Sequence, residues 1–254
     1  MKSTRKIIPA LVMLLVSAIM LTTASYAWLA SSRTVTAGNM TVQANMDVVY
    51  MQISNSKEVG ATWGNSANAL AAESGELELV NAYVSEGQVK WQTAVGATPG
   101  ASGKEGSYSP VETIDGTYAL INTFYVKMSD ESNKELKNLT INTVNVTGDP
   151  IVTGSFDEAL RVLVIAKNAE DEVLGYQCWD LGTRTFLDES EFDGTASLTG
   201  ETKIANAQNN ASKIITLEVY IYYDGEDTYA FTNNLASATE KNISVSFTAE
   251  DVTE

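Results

Sequence analysis

Ile215-Thr-Leu-Glu-Val-Tyr-Ile-Tyr-Tyr223 decides the fold class of this chain, because its apolar residues fall on every second position. Ile215, Leu217, Val219, Ile221 and Tyr223 take one face, while Thr216, Glu218, Tyr220 and Tyr222 take the other. A period of two marks a β-strand, whose successive side chains point to opposite faces, and argues against an amphipathic helix. Asp224-Gly225 then closes the strand with turn residues.

The alternation recurs along the chain. Tyr118, Leu120, Phe124, Val126 and Met128 repeat it between the Asp115-Gly116 turn and the polar loop Ser129 to Lys134. Earlier, Val42, Ala44, Met46, Val48 and Tyr50 oppose Thr41, Gln43, Asn45 and Asp47, a half-buried strand. The last strand sets Ile243, Val245, Phe247 and Ala249 against Ser244, Ser246 and Thr248. Ala159-Leu-Arg-Val-Leu-Val-Ile-Ala166 is apolar on nearly both faces, so it reads as a central strand covered from two sides. Just before it, Ser155-Phe-Asp-Glu158 has the spacing of a capping box and predicts one short helical turn. Leu139 and Ile141 lie on the opposite parity to Val144 and Val146, which demands a register shift, most simply a bulge, at a sheet edge or corner. Asn55 to Glu76 and Gly96 to Ser109 show no period and read as surface loops. Many short strands with few helical signals predict an all-β fold, an antiparallel β-sandwich, for which the jelly roll is a common topology.

The N-terminus carries an address. A basic start (Lys2, Arg5, Lys6) precedes an apolar run from Ile7 to Leu21 and the small-residue exit Thr22-Thr-Ala-Ser-Tyr-Ala27, ahead of Trp28. That order predicts a secretory signal peptide over residues 1–27, cleaved between Ala27 and Trp28, with one β-sandwich domain over 28–254. Ser25 and Ala27 supply the small side chains that a signal peptidase requires before its cut. The alternative is an uncleaved membrane anchor, since Ile7 to Ala30 is long enough to span a bilayer.

Composition narrows the chemistry. The chain has 254 residues, 16 basic and 32 acidic, with no histidine and one cysteine. Removal of residues 1–27 takes away three basic residues and no acidic one, leaving a net charge of −19 on 227 residues. Such a surface repels nucleic acid and anionic lipid and favours solubility. Cys178 is alone, so no intramolecular disulfide forms, and its flanks Tyr176-Gln-Cys-Trp179 read as a buried strand. Without histidine, neither a Ser-His-Asp triad, a Cys-His pair nor a His-Glu-x-x-His zinc site can be assembled. Two acidic turns, Asp188-Glu-Ser-Glu191-Phe-Asp193 and Asp224-Gly-Glu-Asp227, offer oxygen ligands for calcium through Asp188, Glu191, Asp193, Asp224 and Asp227. Neither has EF-hand spacing, because Phe192 falls where an oxygen ligand is needed, so solvated acidic turns are the simpler reading and no cofactor is expected. Trp63 and Trp91, placed in or near loops, and a Tyr220/Tyr222 stripe are the candidates for stacking a sugar face, against the plainer reading of sheet packing.

The export segment ending Thr-Thr-Ala-Ser-Tyr-Ala-Trp-Leu, followed by Arg33-Thr-Val-Thr-Ala-Gly-Asn-Met-Thr-Val-Gln-Ala44, resembles secreted Gram-positive proteins of the TasA/camelysin type, which are processed by a SipW-like signal peptidase. Tyr118 to Lys127, Ala159 to Ile165, Val219 to Asp227 and Ile243 to Thr248 are similar to blocks of clostridial relatives of that group. The resemblance implies a jelly-roll domain at the cell surface and, for some relatives, a biofilm-matrix fibre in which the N-terminal strand of one subunit completes the sheet of the next. On this chain the donor strand would be residues 28–42, with Val35, Ala37, Met40 and Val42 as its apolar positions. An ordinary first strand within its own domain is the equal alternative. Camelysin carries a claimed metalloprotease activity, whose usual histidines this chain lacks.

The leading expectation is therefore an exported, non-catalytic structural subunit of a cell-surface or matrix fibre, located outside the cell. It would associate with its own copies or other matrix proteins, make no contact with nucleic acid, and touch membrane only through an uncleaved N-terminus. The alternative is a surface adhesion or carbohydrate-binding β-sandwich module. An enzyme built on paired carboxylates stands third, with no motif behind it.

Overall fold

The computed structural model describes residues 33–36, 41–44, 51–70, 73–95, 107–128, 135–187, 214–230, 238 and 241–252. In chain order the strands are β1 (Arg33–Thr36), β2 (Thr41–Ala44), β3 (Met51–Ser54), β4 (Ser66–Asn68), β5 (Glu73–Leu77), β6 (Val80–Ser85), β7 (Gln88–Val95), β8 (Ser107–Val111), β9 (Ala119–Met128), β10 (Glu135–Gly148), β11 (Leu160–Lys167), β12 (Val173–Asp180), β13 (Thr185–Phe186), β14 (Ile215–Tyr223) and β15 (Lys241–Val252). A 3-10 turn at Phe156–Ala159 precedes β11.

Six strands in the order β13-β12-β11-β14-β9-β3 form the main sheet, antiparallel throughout. Four strands in the order β10-β15-β2-β4 form the facing sheet, in which only the β15 and β2 pair is parallel. A third sheet, β6-β7-β8, is a three-stranded meander, and β1 pairs with β5. The fold is thus all-β and built from packed antiparallel sheets, as the alternation predicts.

Side-chain parity explains why the main sheet takes partners on both sides. On β14, Leu217, Val219, Ile221 and Tyr223 point into the core shared with the facing sheet, where they meet Ile243, Val245 and Phe247 of β15. Tyr220 and Tyr222, on the opposite face, join Val80, Ala82 and Trp91 of the meander in a second core. Strand β11 divides likewise, Val162 and Val164 into the first core and Leu163 and Ile165 into the second. The doubly apolar run at 159–166 is central, with β12 on one side and β14 on the other.

The bulge expected in the 139–146 segment is present, since the β10 register with β15 shifts between Ile141 and Thr143. Strand β10 also lies at the edge of its sheet, as that irregularity suggests. The Ile141 N–H is taken up by the main sheet: Gln177 Oε1 on β12 accepts it at 2.8 Å. A buried ion pair closes the other end, Lys241 Nζ lying 2.7 Å from Asp157 Oδ2 while the Tyr223 hydroxyl donates to Asp157 Oδ1 at 3.1 Å.

Two local expectations are corrected. Residues 55–76 are not simply a loop, because β4 and most of β5 lie there; both are short and polar, held by main-chain pairing that leaves no alternation to read. Of the strand expected over residues 41–50, Thr41–Ala44 forms β2 in the facing sheet, and residues 45–50 lie outside the described residues. The capping box does not form. Ser155 makes no side-chain cap, its buried Oγ has no partner, and the Glu158 carboxylate accepts the Gly154 N–H instead, because a 3-10 turn this short runs straight into β11. The sequence reading also passes over β6 and β7, whose two-residue turn, Glu86-Gly87, holds both residues at positive φ (56° and 75°), the conformation that suits a tight hairpin.

Phe247 has no exposed surface and sits between the two principal sheets, whereas Val59 is fully exposed. Urea unfolding of Phe247→Ala is expected to lose about 3–5 kcal/mol, and Val59→Ala to stay within about 0.5 kcal/mol of the parent. Similar losses at both positions would contradict this placement of the core.

Candidate functional site

The N-terminal strands pair within their own chain. Strand β1 runs antiparallel to β5, matching Arg33 with Leu77 and Thr34 with Glu76 before the register shifts. Strand β2 is inserted between β15 and β4, parallel to the first (Thr41 opposite Ser244, Ala44 opposite Phe247) and antiparallel to the second. Of the assembly positions named from sequence, Val35 falls on β1 and Val42 on β2. Ala37, Met40, Trp28 and Ala27 lie outside the described residues.

The parallel pairing limits how β2 is connected to its neighbours. An antiparallel neighbour can be joined by a tight hairpin, but a parallel one cannot, so β2 reaches its place by a long-range return of the chain. It spans four residues and is flanked on both sides by strands far from it in sequence. What holds its backbone there is a ladder of main-chain bonds that any strand of suitable register can make.

A second arrangement surrounds Arg161, the one charged residue within the apolar run of β11 and only 4% exposed. Its Nη1 donates to Asp180 Oδ1 at 3.0 Å and to the Glu158 carbonyl at 2.7 Å. Its Nη2 bonds Asp227 Oδ2, and its Nε lies 3.7 Å from Asp224 Oδ2. Burial pulls the guanidinium towards neutrality, but the carboxylates of Asp224, Asp180 and Asp227 outweigh it and keep the charge. Burial raises the Asp224 carboxyl above its usual range, against the opposing pull of Arg161. Asn81 on β6 donates to Asp224 Oδ1 at 3.4 Å and to Glu226 Oε2 at 3.1 Å, tying the meander to the same loop. Asp180 also receives the Gly182 N–H at 2.7 Å, and glycine is required there because a Cβ would stand 2.9 Å from the Glu158 carbonyl oxygen.

Asp224 and Asp227, two of the calcium candidates, are thus brought together around a guanidinium. Asp188, Glu191 and Asp193 lie outside the described residues, among which no group of three or more acidic or cysteine side chains is arranged to hold a metal ion. The sequence reading missed Arg161, although a lone arginine in a strand buried on both faces signals a paired internal charge.

The aromatic candidates resolve into packing. Trp91 is on β7 rather than in a loop, 7% exposed, with its ring centroid 5.0 Å from Tyr222 and 5.4 Å from Tyr220. Tyr220 and Tyr222 form no exposed stripe, because the meander covers them. Trp63 is half-buried beneath Lys127 Nζ, 4.8 Å from the ring centroid. Cys178 is buried in the same second core, its Sγ 3.7 Å from the Tyr222 hydroxyl, and burial pushes its thiol up to about 12.

No family model, no curated protein and no solved structure matches this chain.

Arg161→Met is expected to cost about 3–5 kcal/mol in urea unfolding, since it leaves three largely buried carboxylates without their counter-charge. A loss below 1 kcal/mol would show that the network is screened by water. Cys178 keeps its proton from the ordinary 9.0 to about 12 when folded, so it contributes no pH dependence below pH 9 and lowers stability as pH rises between those values, where only the unfolded chain ionises. Cys178→Ala should flatten that alkaline slope, and in the native parent at pH 8 the thiol should not react with a disulfide reagent. Rapid reaction would place Cys178 at the surface.

Proposed function

We propose that this protein is an exported, non-catalytic structural subunit of a cell-surface or matrix fibre, assembled by β-strand addition through its N-terminal segment. The observation that carries the reading is the insertion of β2 in parallel between β15 and β4. A short strand held by main-chain bonds, close to a chain terminus and joined to neither neighbour by a hairpin, can be replaced by the same segment of another copy with every ladder bond conserved. The replaced segment is then free to enter a third copy, and head-to-tail exchange of this kind does not close on itself.

Other features agree with the reading. The signal-like N-terminus would deliver the chain outside the cell, where the jelly-roll domain implied by the TasA/camelysin resemblance would sit. Removal of residues 1–27 would also leave the exchanging segment at the new N-terminus. An acidic surface keeps subunits soluble before they join.

Electron microscopy and N-terminal sequencing of the secreted protein test the proposal together. Filaments built from chains that begin at Trp28, and monomers when residues 28–42 are deleted, are the expected result. A monomeric product that is unchanged by the deletion would overturn it.

A further inference from the structure

Between β10, at the edge of the facing sheet, and the tip of β12, the sandwich opens into a cavity of about 330 Å³. Val144 of β10, Ile151 of the loop beyond it, and Trp179 and Leu181 at the end of β12 supply apolar wall, while Asn145 and Arg184 supply polar groups. The volume lies at the small end of the range for ligand pockets, and its lining is half polar and half apolar, so a ligand with both kinds of group suits it.

Two donors here lack partners. Trp179 is 9% exposed, one ring edge packed by Phe186 at 4.9 Å between centroids, and its buried indole N–H makes no hydrogen bond. Arg184, exposed on the turn before β13, forms no ion pair among the described residues. In a chain with twice as many acids as bases, and in which Arg161 gathers three carboxylates, an unpaired arginine at the mouth of a cavity stands out. A guanidinium offers a planar fork of donors that matches a carboxylate.

We infer that this cleft binds a carboxylate carried on a compact apolar group, with the apolar part against Trp179 and Val144 and the carboxylate on Arg184. The site is independent of strand exchange at β2, which lies at the other side of β15 from β10. The carboxylate has two sources, a free small acid or an acidic side chain beside an apolar one on a peptide running past Thr143 to Val146 of β10.

Titration calorimetry of the secreted protein with phenylacetate, 3-phenylpropionate and isovalerate tests the inference, with phenylacetamide as the uncharged control. Saturable binding of at least one acid is expected, weakened tenfold or more in Arg184→Gln and for the amide, with circular dichroism of the variant unchanged. A blocked tetrapeptide pairing Phe with Glu that binds tenfold more tightly than the free acids identifies a peptide ligand; equal or weaker binding identifies the small acid. No saturable binding by any of these probes, or binding that Arg184→Gln leaves intact, would overturn the inference.

Discussion

Burial of the β11 and β14 pair on both faces is the constraint from which the rest of the structure follows. A sheet with one wet face needs a single covering layer, but these strands carry apolar side chains on both parities and so require two. The facing sheet covers one side and the β6-β7-β8 meander the other. Any polar group on these strands must then find its partner inside the protein. Arg161 finds Asp180, Asp224 and Asp227, and the Tyr223 hydroxyl finds Asp157, itself paired with Lys241. The Asp157–Lys241 pair ties the turn before β11 to β15 of the facing sheet, while the Arg161 ties link neighbouring strands of the main sheet and the loop after β14.

How much of this was legible in the sequence depends on the length of each pattern. Strands of eight residues or more with strict alternation, such as 215–223 and 119–128, read directly, and the doubly apolar run at 159–166 gave away its central position. The parity conflict between Ile141 and Val144 likewise exposed the bulge and the edge. The strands at Ser66–Asn68 and Glu73–Leu77 did not read, because they are held by backbone bonds and carry little apolar pattern. The meander was invisible as a separate layer: Trp91 beside Tyr220 and Tyr222 is a contact between distant segments, and period alone cannot separate an aromatic stripe facing water from one facing another sheet. Arg161 was present as a single letter in an apolar run, yet its carboxylates lie 19, 63 and 66 residues away.

The proposed strand exchange asks for a contrast between a body that stays folded and a segment that can leave it. Strands β11 and β14 are held by ladders on both edges and packed cores on both faces, so their removal would open the whole protein. Strand β2 contributes four residues to the facing sheet and enters it in parallel. Local opening free energies in proteins span the range from near zero to the global value, and segments that rearrange are drawn from the low end. The proposed assembly rests on β2 lying at that low end and β11 and β14 at the high one.

Native-state hydrogen exchange of the monomeric protein measures the contrast directly. Amides of β11 and β14 should exchange only through global unfolding, with a free energy that falls in step with added urea, while those of Thr41 to Ala44 should exchange through a local opening several kcal/mol lower and insensitive to urea. Amides of β2 that are protected as strongly as those of β11, with the same urea dependence, would contradict the account.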